Sequence, residues 1–244
     1  MKISNYLPNG MTRLTPLFAV LAALVVALPV TTAKLWAAPP PTVKIIIELN
    51  ATDEDVGIQM FFDAEGWMRL EVFDPDGWKI FETTASGSVQ MQGLTELFFE
   101  SEEPTLDELP LDDFLARFPA GQYKFVAVTR DGEILTGKAT LTHSIPDGPE
   151  LISPAEDEVV EADNTVIEWL PVEDPPGSKI AGYQVIVERE KPTLRVFSAD
   201  VARTTRSVTV PAEFMERNTK YKFEVLAIEA GGNQTISERK FKTQ

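Results

Sequence analysis

Cysteine is absent from the 244 residues, so no disulfide framework braces the fold and no thiolate is available as nucleophile or metal ligand. The same absence removes the lipid-bearing cysteine that a bacterial lipoprotein needs after its signal. Histidine occurs once, as His143, which leaves no clustered imidazoles for zinc or copper. A Ser-His-Asp arrangement through His143 lacks a Gly-x-Ser-x-Gly elbow to expose its serine, and a structural hydrogen bond is the expected role. Positive charge is scarce, with 22 Lys and Arg against 38 Asp and Glu. Three of those cations (Lys2, Arg13 and Lys34) fall within residues 1–38, which hold no acid, so the rest of the chain has 19 against 38 and a net charge of −19. A nucleic acid is thereby excluded as a partner, because its phosphates would be repelled and few Lys or Arg remain to release counterions. The acidity serves solubility, a cation or a basic partner.

Long apolar runs are also missing, with one exception. Leu17–Leu28 carries no charge, follows Lys2 and Arg13, and ends at Pro29 before the small residues Thr31, Thr32 and Ala33. That pattern identifies residues 1–38 as a secretory signal peptide, with cleavage after Ala33, Ala37 or Ala38; Met11 offers an alternative start. An uncleaved anchor would need about 20 apolar residues. The expected location is therefore exported, periplasmic or extracellular, and not as a lipoprotein. Pro39, Pro40 and Pro41 form a short stiff spacer over residues 39–42.

What the rest of the chain has in abundance is short β-branched and aromatic runs between turn residues. In the first half these are Val43–Leu49, Ile58–Phe62, Trp67–Phe73, Trp78–Thr83, Leu97–Glu100, Tyr123–Thr129 and Glu133–Leu141. Trp67 to Val72 alternates apolar and polar, as a strand with one wet face does, and Asp74-Pro75-Asp76-Gly77 supplies the turn into the next run. Leu106, Leu109, Phe114, Leu115 and Phe118 suggest a short helical crossover near 105–117, broken by Pro110. Two prolines and a glycine in Ser144–Pro149 mark a boundary. The second half repeats the style in Val166–Trp169, Gly182–Arg189, Arg195–Ser198, Ser207–Val210, Tyr221–Ile228 and Ser237–Lys242. Both halves hold a turn feeding a Tyr-led alternating strand, at Tyr123 and at Tyr221, where a corner tyrosine would bond its hydroxyl to nearby backbone. The reading is all-β: two tandem β-sandwiches, residues 43–145 and 150–244, with a linker at 146–149.

The second half resembles a fibronectin type III domain. The resemblance rests on the proline-marked entry Pro149–Pro154, on Thr165-Val166-Ile167-Glu168-Trp169 with its core tryptophan, on Ile180–Val185, and on Met215–Tyr221 leading into Phe223–Asn233. Arg217-Asn218 stands where the family has Pro-Gly, a turn that asparagine can also make. The family implies a seven-stranded sandwich used for spacing or binding, and the resemblance by itself identifies no activity. The first half has only a general likeness to bacterial immunoglobulin-like modules. An Arg-Gly-Asp tripeptide is absent.

Carboxylates are the one dense reactive group. A facing pair about 5–10 Å apart would suit glycoside hydrolysis, but small sandwiches rarely build the cleft it needs. Calcium is a candidate ligand for Asn50, Asp53, Asp55 and Asp63, read as oxygen-bearing residues of neighbouring loops. Trp67 and Trp78, if exposed together across a hairpin, would make a sugar-stacking platform. The acidic stretch from Glu102 to Asp113 beside Phe98-Phe99 reads as a solvated crossover capping the sandwich, or as an acidic rim around an apolar patch for a protein partner. Asn50-Ala51-Thr52 and Asn233-Gln234-Thr235 are glycosylation sequons. The chain reads as a non-catalytic binding or adaptor protein without a cofactor. It would recognise a protein or cell-envelope component, with a carbohydrate-binding accessory protein and a carboxylate-dependent hydrolase as alternatives.

Overall fold

Alternation of apolar and polar residues decides which side of each strand is buried, and pairing decides which strands share a core. The computed structural model describes residues 39–244; the signal-peptide reading lies outside the described residues. The first half forms β1 (Thr42–Asn50), β2 (Asp55–Phe73), β3 (Lys79–Thr84), β4 (Leu94–Glu100), β5 (Gly121–Thr129) and β6 (Ile134–Leu141). Two short helices, α1 (Gly87–Gln92) and α2 (Leu111–Arg117), flank β4. The second half forms β7 (Leu151–Ser153), β8 (Glu158–Val160), β9 (Val166–Trp169), β10 (Ile180–Glu190), β11 (Thr193–Ala202), β12 (Ser207–Thr209), β13 (Lys220–Glu229) and β14 (Gln234–Thr243). The protein is all-β, with few helical residues.

Two separate hydrophobic clusters follow from this order. The first gathers Ile45, Ile47, Ile58, Phe62, Trp67, Tyr123 and Phe125; the second gathers Ile167, Trp169, Tyr183, Val185, Tyr221, Phe223 and Phe241. Each fully buried side chain of this size contributes about 1.5–3 kcal/mol. Phe62 packs edge-on to Trp67 with ring centroids 5.5 Å apart, and Trp169 lies 5.4 Å from Tyr183. Both corner tyrosines close as expected. Tyr123 Oη donates to Pro119 O at 3.0 Å, and Tyr221 Oη accepts from Glu216 N at 2.7 Å. Asn218, in the turn before Tyr221, takes the left-handed conformation at φ 55.

One strand differs from expectation. Ile58–Phe62 and Trp67–Phe73 are not separate strands across a loop but parts of the single β2. Its first part pairs with β1 and β4, its second with β3 and β5, and the register shifts between Asp63 and Trp67. The stretch Asp63–Gly66 is thus an irregularity inside one continuous strand, at which β2 changes its pairing partners. Such a register shift absorbs the extra residues that a turn would otherwise hold. The helical crossover is confined to Leu111–Arg117, because Pro110 stands at its N-terminal cap and cannot sit within a helix. Phe114 and Leu109 are buried there as a lid on the first core.

The two halves share a sheet. β1 pairs in parallel with β14, Glu48 opposite Gln234 and Asn50 opposite Ile236, so one path runs β11-β10-β13-β14-β1-β2-β5-β6. The ladder is extended by a side chain. Asn233 is 2% exposed; its Oδ1 accepts from Ile47 N at 2.9 Å while its Nδ2 donates to Thr142 O at 2.9 Å, Thr142 Oγ1 at 3.0 Å and Ser144 O at 3.3 Å. Thr235 Oγ1 donates to Pro146 O at 2.6 Å. Gly148 sits where a Cβ would approach the Ala51 Cβ to 2.6 Å and Ser237 Oγ to 2.8 Å, so only glycine lets the linker lie against the seam. His143 Nε2 lies 2.9 Å from Phe118 O, a hydrogen bond that ties the end of the first half to the segment after α2.

Candidate functional site

The shared sheet turns one face to the cores and the other away from them. On β1, Ile45 and Ile47 point to the first core, which leaves Lys44, Ile46 and Glu48 on the outer face. On β2 the same rule sends Ile58, Met60 and Phe62 inward and Gly57, Gln59 and Phe61 outward. Cross-strand register then sets the neighbours: Ile46 faces Gln59, Lys44 faces Phe61, Gln59 faces Glu100 and Phe61 faces Phe98. Phe98 is 56% exposed. A groove of about 210 Å³ lies among Ile46, Phe61 and Phe98. In the second half, Ile186 and Leu226 alternate with core residues and so lie on the outer face, yet each is only 3% exposed.

Three carboxylates meet at the edge of the groove. Carboxylate oxygens of Glu48, Glu100 and Glu103 come within 4.8 Å of one another. Glu48 is opposite Gly57, and a Cβ on Gly57 would meet Glu103 Cγ at 2.8 Å, so the glycine makes room for Glu103 to cross the strand. Ser101 fixes the approach, its Oγ accepting from Ile58 N at 3.0 Å. Gln59 Nε2 donates to Glu100 Oε1 at 2.9 Å, and Gln234 Nε2 donates to Glu48 Oε2. Burial raises the proton affinity of Glu48 above the ordinary carboxylate range, with Glu100 adding to it. Glu103 is pushed up to about 7, first by desolvation and then by Asp55, Glu100 and Glu48, although one side of it faces solvent. The trio favours a cation that brings its own donors. A hard metal ion asks for six to eight oxygens, whereas Gln59 and Gln234 present N–H groups here.

The calcium set does not converge. Asp55 opens β2 and Asp63 lies eight residues along the same strand, which at about 3.3 Å per residue separates them by ~26 Å. Asn50 Oδ1 is taken by Thr52 N at 2.9 Å and Asp53 N at 3.2 Å, and its Nδ2 donates to Asp53 Oδ2 at 3.3 Å, so these two side chains build the β1–β2 turn. The tryptophan platform does not form either. Trp67 is 0% exposed inside the first core, while Trp78 is 74% exposed in the β2–β3 turn. The first points inward because the register shifts between Trp67 and Arg69, which buries Trp67 as well as Leu70 and Val72 although strict alternation would set it on the other face. The sequon at Asn233 is sealed in the seam, its amide fully engaged. An open cleft of about 670 Å³ beside α2 is lined by Glu102, Glu103, Glu108, Phe114 and Arg117 among others. Glu48, Glu100 and Glu103 escaped the sequence reading as a group because they meet only through pairing registers; the signal that was present is Gly57, out of place in an otherwise bulky strand.

Residues 155–242 match the family model described as the fibronectin type III domain. Solved structures similar to this chain include a two fibronectin type-III domain segment from chicken tenascin, 12% identical, covering 84% of this chain and 99% of that one at a TM-score of 0.30. Domains A168-A170 from titin are 18% identical, with 85% and 68% covered and a TM-score of 0.29. The human OSCAR ligand-binding domain is 14% identical, with 82% and 96% covered and a TM-score of 0.29. No curated protein matches the chain. The second half thus holds a fibronectin type III domain.

Proposed function

We propose that the protein is an exported, non-catalytic adaptor that presents two sandwich modules as one stiff surface to a protein partner of the cell envelope. The observation that carries this reading is the seam: β1 on β14, extended by the Asn233 side chain, makes a single sheet out of two modules. A flexible tether would have needed none of the buried polar bonds at Asn233 and Thr235. Export is supported by the charge and hydrophobicity pattern of residues 1–38. A fibronectin type III domain supports a binding role, since that fold hosts sites on its surface rather than a built-in reaction centre.

The test is capture of cross-linked partners from the envelope fraction of the source organism, followed by reciprocal capture with the partner as bait. Recovery of one partner in both directions is the expected result. Recovery of nothing beyond what an unrelated protein of equal negative charge retains would end the adaptor reading. N-terminal sequencing of the exported form checks the other half, with a start after Ala33, Ala37 or Ala38 as the expected outcome.

A further inference from the structure

The outer face of β1, β2 and β4 carries an apolar depression that reaches the core residue Met60. Its walls are Ile46, Phe61 and Phe98, its basic end is Lys44, and its other end reaches Gln59 and Gln234, the two amides that hold Glu100 and Glu48. At about 210 Å³ it exceeds the ~150 Å³ cavity that takes up benzene, so one large apolar side chain fits. Apolar surface edged by charge is the pattern of a protein contact, not of a solvated sheet face.

We propose that this groove and the adjoining carboxylate trio form the docking site for an extended, basic segment of a partner protein. The segment seats an apolar side chain against Ile46, Phe61 and Phe98 and an arginine among Glu48, Glu100 and Glu103. The proposal rests on the adaptor reading and names the chemistry of its partner. Charge complementarity selects the occupant. A second copy of this chain brings the same excess of acid, 38 Asp and Glu against 22 Lys and Arg, and the same carboxylates, so it is repelled. Guanidinium offers five N–H donors in a plane, which suits the carboxylate oxygens that the glutamine amides on Glu100 and Glu48 leave free, together with those of Glu103. Lys44, 6.0 Å from the centroid of the Phe61 ring, repels cations at the opposite end and so fixes the direction of the segment. Bringing three carboxylates together raises the cost of leaving them unpaired, and an arginine removes that cost on binding.

The experiment is fluorescence polarisation on the full-length chain with a labelled peptide of alternating leucine and arginine. Peptides of leucine with glutamate and of glycine with arginine serve as controls. The leucine–arginine peptide is expected to bind about tenfold more tightly than either control. Phe98→Ala and Glu100→Gln, both at exposed positions, are each expected to weaken it about fivefold or more with unchanged melting, while Trp78→Ala leaves it unaltered. Equal binding of the glycine–arginine peptide would reduce the face to unspecific charge and overturn the proposal. So would unchanged affinity in both variants, displacement of the peptide by low-millimolar calcium alone, or self-association that Phe98→Ala abolishes. The two readings fail differently. A partner captured equally by wild type and by a Phe98→Ala, Glu100→Gln double variant ends the docking site and leaves the adaptor standing; no partner at all ends the adaptor.

Discussion

Replacing Asn233 by alanine tests whether the seam holds the two halves as one unit. The side chain acts as a spare peptide group: its oxygen takes the Ile47 N–H one step beyond the Glu48–Gln234 pair, and its amide serves Thr142 and Ser144. Truncation removes four contacts and strands a buried N–H. At about 1 kcal/mol per lost bond, less whatever water recovers at the linker carbonyls, plus about 1–2 kcal/mol for the orphaned donor, the cost is roughly 3–4 kcal/mol. For a unit of this size, about 2–4 °C per kcal/mol gives a drop in melting temperature of about 6–16 °C. Trp67 and Trp169 are native reporters, one in each core. Two single-tryptophan proteins, with the other tryptophans changed to Phe, follow each half during urea unfolding. With Asn233 present the two reporters are expected to change together; with Asn233→Ala they separate, because the shared edge no longer couples them. A loss under about 1 kcal/mol with both transitions still coincident would refute the reasoning. So would transitions that are already apart in the unaltered protein.

Further outcomes follow from the same geometry. Glu103, with a folded pKa raised to about 7, holds its proton more tightly when folded than when unfolded, so its destabilising effect is present above about pH 7 and gone below its ordinary value of 4.5. Stability is therefore expected to rise as pH falls through that window, by under about 1 kcal/mol because the group is partly screened by water, and Glu103→Gln flattens this slope in urea titrations at successive pH values. Gly148→Ala places a methyl group against Ala51 and Ser237 and is expected to cost about 1–3 kcal/mol by thermal melting. Tyr221→Phe removes the acceptor of the Glu216 N–H and should cost about 1–2 kcal/mol, read in the Trp169 transition.

Much of the architecture was legible because its signals are local. The turn chemistry of Asp74–Gly77 and the corner tyrosines each depend on a few neighbouring residues, and each appears where the sequence placed it; the alternation read over Trp67–Val72 holds only from Leu70 on, because the register shift beside Trp67 turns that ring inward too. Asp63–Gly66 misled, since polar residues and a glycine mark a turn and a bend in a strand alike. That reading set Asp63 in a loop, whereas it lies within β2, far along the strand from Asp55. The carboxylate trio and the seam were out of reach for a different reason. Glu48 meets Glu100 and Glu103 only once β1, β2 and β4 are in register, and Ile47 meets Asn233 across 186 residues. Composition can say that acids are plentiful; it cannot say which of them become neighbours.

The pairing of β1 with β14 also orders events in time. A chain synthesised N-terminus first delivers β1 186 residues ahead of the asparagine that completes its hydrogen-bonding row. Until then β1 is an unprotected border, with Ile46 and Glu48 beside free amide and carbonyl groups, open to any strand that passes. A nascent chain stalled before Asn233 would be the species most prone to stick to its own kind.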